Sequence, residues 1–96
     1  MAVIRIVQPP MVTSEIYDAV NAKMNVDQSP PEGLVMHSAG EVNGTWQIVD
    51  VWESEEHARR FDNDRLTPAI REVTGVESPP GATQVTVYEL HHLLRP

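Results

Sequence analysis

The sequence predicts an α+β domain: a four-stranded antiparallel sheet with two helices on one face. Three observations point there. Segments of β-type and helical periodicity alternate as strand, helix, strand, strand, helix, strand. An Asn43-Gly44 dipeptide separates the two central strand-like runs. The three Pro-Pro pairs fall at a strand end or in connections.

Ala2 to Val7 is rich in β-branched residues and stops at Gln8-Pro9-Pro10, because proline removes a ladder donor. Thr13 or Ser14 can cap a helix, with Glu15 in its first turn where the dipole favours a carboxylate. Ile16, Val20 and Met24 recur every four residues, with Tyr17 beside them. They form one apolar stripe on a helix from about Ser14 to Asn25. The stretch 27–33 is a loop by composition.

Leu34 to Val42 and Thr45 to Glu53 read as strands joined at Asn43-Gly44. Both turn residues of such a hairpin need positive φ, and a two-residue turn sets the register. Val42 then faces Thr45, Glu41 faces Trp46, Ala39 faces Ile48, His37 faces Asp50, and Val35 faces Trp52. The pairs from Glu41 onward project from one side, and Met36, Val49 and Val51 lie on the other.

Ser54 caps a second helix, followed by Glu55 and Glu56. His57, Ala58 and Phe61 follow at helical spacing. Asp62-Asn63-Asp64 is expected to point outward, with Arg59, Arg60 and Arg65 paired to Asp62 and Asp64 on a solvated face. Pro68 implies a break or kink near Thr67, then a short segment holding Ala69, Ile70 and Val73 that Gly75 can end. Residues 78–81 are a further loop. Thr83 to Leu94 alternates as a long last strand, with His91 and His92 on opposite faces. Arg5 is expected either to bind an acidic ligand group or to salt-bridge Glu89.

The chain has 96 residues, enough for one domain spanning 1–96 and too few for two. A domain this small buries only roughly 60% of its unfolded surface. With seven Lys/Arg against fourteen Asp/Glu, its formal charge is −7. That balance argues against binding to a nucleic-acid backbone, which needs clustered cations. There is no cysteine, hence no disulfide framework and no thiol nucleophile. No apolar run approaches the roughly 20 residues that span a bilayer, and the N-terminus lacks the marks of a signal peptide. A cytoplasmic protein without membrane contact is expected. Apolar residues occupy both faces of the strands, and two helices cover only one, so a homodimer packed sheet to sheet is expected.

The stretch from Trp46 to Phe61, above all Trp52-Glu53-Ser54-Glu55-Glu56 at a strand-to-helix junction, resembles the dimeric α+β barrel superfamily. It is most similar to the antibiotic-biosynthesis-monooxygenase (ABM-like) domains, in element order and length over essentially the whole chain. The resemblance implies a ferredoxin-like βαββαβ protomer with a ligand pocket between helices and sheet. It also implies oxygenase or isomerase chemistry on an aromatic, polyketide-like substrate without a bound cofactor. Haem-degrading members place an asparagine, a tryptophan and an iron-ligating histidine where this chain has Val7, Phe61 and Ile70, which argues against that activity.

His37 opposite Asp50 is the sharpest candidate for catalysis, because a carboxylate beside an imidazole sets its tautomer and raises its pKa. The competing reading is a self-satisfied polar pair inside a dimer interface. Trp52, Phe61, His57, Val35 and Tyr17 are the candidate walls of a pocket for a small apolar or aromatic ligand. The aromatics among them read first as core, and His57 as a helix-boundary residue. No metal-ligand spacing is present. The alternative to an enzyme is a non-catalytic ligand-binding or structural dimer.

Overall fold

The computed structural model describes residues 1–10, 12–75 and 83–96. The loop expected at 78–81 lies outside the described residues. Its elements run β1 (Val3–Gln8), α1 (Ser14–Met24), β2 (Leu34–Val42), β3 (Thr45–Trp52), α2 (Glu55–Phe61), α3 (Thr67–Thr74) and β4 (Gln84–Glu89). A π-helical turn, Asp62–Leu66, joins α2 to α3 without interruption. The strands form one antiparallel sheet in the order β2-β3-β1-β4. This is the ferredoxin-like arrangement expected from the element order.

Local signals act where the side chains allow them. The Thr13 hydroxyl accepts the Ile16 N–H at 3.2 Å and caps α1, while Asn25 ends it in the left-handed region at φ 56°. Ser54 caps α2 by accepting the His57 N–H at 3.2 Å. Asn43 and Gly44 have φ of 49° and 82°, as a two-residue hairpin turn requires. From that turn the register runs as counted: Val42 to Thr45, Glu41 to Trp46, Ala39 to Ile48 and His37 to Asp50.

The count fails at one pair. Leu34, not Val35, lies opposite Trp52, because a bulge places one extra residue on β2 between Leu34 and Met36. A second anchor competes with the turn here. The Glu53 N–H donates to the Gly33 carbonyl at 2.7 Å, one residue out of the hairpin register. Val35 absorbs the difference.

Of the break or kink expected near Thr67, the break is absent, while the short segment after it is α3, ended by Gly75. Leu66 and Thr67 keep right-handed helical angles, and the Thr67 N–H reaches back five residues to the Asp62 carbonyl. The wider π turn absorbs the missing Pro68 donor and gives its ring room, so the helix is re-spaced instead of broken. The last strand is shorter than expected. β4 pairs only with β1, whose ladder begins at Val3; the Leu90 N–H makes a final bond to the Ala2 carbonyl at 2.9 Å. His91 and His92 therefore lie beyond the strand, exposed.

Trp52 (1% exposed) and Val3 (6%) on the sheet pack against Ala58 (0%) of α2, with Leu34 and Phe61 around them. This cluster joins the helices to the sheet and identifies the covered face. Cross-strand partners share a face, so Val3, Arg5, Asp50, Trp52 and His37 all lie on the helix side. Ile4, Met36, Val51 and Tyr88 form a row on the far side.

Candidate functional site

The site starts from a row across three strands. The ladder sets His37 of β2 beside Asp50 of β3, and Asp50 beside Arg5 of β1. Asp50 is 7% exposed, a buried carboxylate. Burial of such a group is costly unless donors surround it. Two do. His37 Nδ1 lies 2.5 Å from Asp50 Oδ1, and the Trp52 indole N–H donates to Asp50 Oδ2 at 3.4 Å.

Helix α1 supplies the third member. The Tyr17 hydroxyl lies 2.5 Å from His37 Nε2. Its ring is nearly parallel to the imidazole plane, and it packs on the Trp46 indole at a centroid distance of 5.3 Å. The result is a continuous chain of phenol, imidazole, carboxylate and indole N–H. With the carboxylate accepting from Nδ1–H, neutral His37 presents a basic Nε2 to the phenol.

The titration behaviour follows from these contacts. Asp50 raises the His37 pKa through its hydrogen bond and charge, outweighing the burial that pushes it down. Burial, then the charges of Asp50, Asp27 and Asp18, raises the Tyr17 pKa, so the phenol keeps its proton at neutral pH.

The structure brings together four of the expected residues, His37, Asp50, Tyr17 and Trp52, and sets Phe61, His57 and Val35 outside their chain of hydrogen bonds. Trp52 and Phe61 pack against each other at 5.4 Å between centroids, within the core. His57 sits apart, its Nδ1 2.7 Å from the Ser54 hydroxyl. With Phe61, Pro31, Glu32, Arg60, Asp64 and Arg65 it lines a shallow outer groove of about 140 Å³ that does not include His37. Val35 sits in the bulge.

Arg5 is paired with Asp62 at 2.9 Å, not with Glu89, because its side chain rises toward the helices. Asp62 therefore turns inward, contrary to expectation. Arg59 and Arg60 pair with Glu55 and Glu56 one turn earlier, while Arg65 donates to the Met24 and Ser29 carbonyls. Among the described residues, no three His, Asp or Glu side chains converge as a metal site would require. No helix among them is long and apolar enough to cross a membrane.

Sequence reasoning missed two features. The Tyr17–His37 bond joins residues 20 apart on different elements. The Trp46 indole N–H is closed off from solvent with no acceptor among the described residues.

No family model and no curated protein matches the sequence. Solved structures do match in fold. A candidate antibiotic biosynthesis monooxygenase from Caulobacter crescentus CB15 superposes with a TM-score of 0.70 at 9% identity, covering 95% of this chain and 91% of that one. SnoaB, a cofactor-independent oxygenase from Streptomyces nogalater, gives 0.62 at 12% identity, covering 99% and 97%. The ActVA-Orf6 monooxygenase of Streptomyces coelicolor, in complex with nanaomycin D, gives 0.59 at 16%, covering 99% and 91%. The chain thus shares its ferredoxin-like fold with these structures.

Proposed function

We propose that this chain is a cofactor-independent oxygenase that activates a phenolic aromatic substrate by removing its proton, with His37 as base. The observation that carries the reading is the Tyr17–His37–Asp50 chain on the helix side of the sheet. The substrate phenol gives its proton to the Tyr17 oxygen as Tyr17 passes its own to His37 Nε2. Asp50 stabilises the imidazolium that forms. The substrate anion carries charge on a ring carbon bearing a second hydrogen. That carbon forms a bond to dioxygen, the oxidant. The hydroperoxide anion takes the proton back from His37 and loses water, leaving a ring ketone. One oxygen atom stays in the product and the other leaves as water. The likeness in fold to two oxygenases supports this class of chemistry.

The working form in this reading is a homodimer. Met36, Val42 and Tyr88, on the sheet face away from the helices, are 44%, 45% and 49% exposed. Around Val51, itself 1% exposed, these exposed apolar side chains mark an interface. Sedimentation as a clean monomer at micromolar concentration would remove the dimer from the proposal.

The test uses anthrone, whose enol tautomer is a phenol of the required kind. Wild-type protein should consume oxygen and form anthraquinone faster than buffer. His37→Ala should lower that rate by about 10²-fold or more. Equal rates for wild type and a folded His37→Ala protein would end the catalytic reading. One observation favours a non-catalytic dimer instead: Trp52 and Phe61, two expected pocket walls, pack against each other in the core cluster. In that case neither protein accelerates the reaction.

A further inference from the structure

We propose that Trp46 is a specificity-determining residue, whose indole N–H reads an acceptor oxygen on the ring of the bound ligand. The inference deepens the reading of the Tyr17–His37–Asp50 site and rests on it.

Trp46 stands at the start of β3, four residues before Asp50 and on the same face. Its ring meets Tyr17, which carries the hydroxyl bonded to His37. The indole is thus one aromatic contact away from the basic nitrogen. Its own N–H is buried with no acceptor among the described residues, whereas the other tryptophan, Trp52, donates to Asp50. An indole N–H is a donor only, and buried donors are paired as a rule. Leaving one unpaired destabilises the free protein, so a partner arriving with the ligand recovers that loss.

Tyr17 links the indole to the basic nitrogen. The phenol ring lies against the indole and is tethered through its hydroxyl to His37. The ligand chemistry follows from the two groups together. A ring bearing an acidic O–H for the Tyr17–His37 relay, with a carbonyl nearby for Trp46, satisfies both. A hydrocarbon of the same shape leaves the indole unpaired.

The test separates this donor from simple packing by using 9-fluorenone and fluorene, which differ at one ring carbon, a carbonyl or a methylene. Equilibrium dialysis would give both affinities for wild type and Trp46→Phe. The variant should bind fluorenone about five- to tenfold more weakly and fluorene within about twofold of wild type. An equal loss for both probes, no change for either, or no binding of either to wild type would overturn the proposal. Should the variant not fold, nitrogen–proton spectra of the wild type decide, because the two tryptophans give two indole signals. Fluorenone should shift one signal downfield and fluorene should not; two stationary signals at saturation would overturn it. Failure of His37 as a base would appear in anthrone turnover alone and leave these binding ratios unchanged.

Discussion

The imidazole Nδ1 of His37 lies 2.5 Å from Asp50 Oδ1, across adjacent strands and on the sheet face that the helices cover. A partner pair placed there cannot serve the open sheet face. It faces Tyr17 instead, and its charge state controls what the phenol can do.

Because Asp50 raises the His37 pKa, the protonated form is favoured in the folded chain. The stability this contributes is fully present below the unfolded value of 6.5 and is lost as pH rises through the higher folded value. Denaturation followed across that range should show this loss, and Asp50→Asn should abolish it. Base catalysis has the opposite dependence, since it needs neutral His37, so activity should rise with pH through the raised pKa. Proton NMR titration of His37 in both proteins supplies the value to compare.

Asp50→Asn preserves shape but removes the charge that holds His37 and receives the Trp52 N–H. Loss of a charged hydrogen bond of this kind costs about 1.5–3 kcal/mol. Urea denaturation should report it, together with a lower His37 pKa.

Gly33 has φ of +85°, and a Cβ there would lie 2.4–2.7 Å from atoms of the His57 side chain. Gly33→Ala therefore meets both a strained backbone and a collision, and should destabilise by about 2 kcal/mol or more. His57→Ala removes the collision and leaves the strain. The double variant should then be more stable than the sum of the single losses predicts. Additive losses would show that the ring moves aside freely.

Arg5 and Asp62 form a pair with side chains only 15% and 28% exposed. Asp62→Ala strands a mostly covered guanidinium and should cost about 1–2 kcal/mol, allowing for solvent at the open side. Replacement of both, Arg5→Met with Asp62→Ala, should recover part of the loss, as thermal unfolding would show.

Trp52→Ala empties the centre of the core cluster and should cost about 3–5 kcal/mol. Trp52→Phe keeps a ring against Phe61 but drops the donor to Asp50, and should cost less. If both variants denature alike, the indole N–H rather than its bulk holds this region.

Local chemistry was readable in the chain. The stripe Ile16, Val20, Met24 made α1, Ser54 capped α2, and Asn43-Gly44 set the hairpin register that brought His37 to Asp50. These features are decided within a few residues, by φ preference, hydrogen-bond reach and periodicity. The same count misplaced Val35, because the Glu53–Gly33 bond pulls the far end of the hairpin from outside the turn. Likewise Pro68 signalled a break or kink, and a π turn accommodates the lost donor without a break.

What the sequence could establish, then, was the order of elements and which residues oppose one another across the central hairpin, since both arise from neighbours in the chain. The docking of α1 over β2 and β3 decided the rest. It selected Tyr17 as the partner of His37, laid its ring against Trp46, and left His57 on a different surface. Periodicity says which side of a helix is apolar, but not where along a sheet that side comes to rest. That position comes from packing many side chains at once, and only the folded chain contains it.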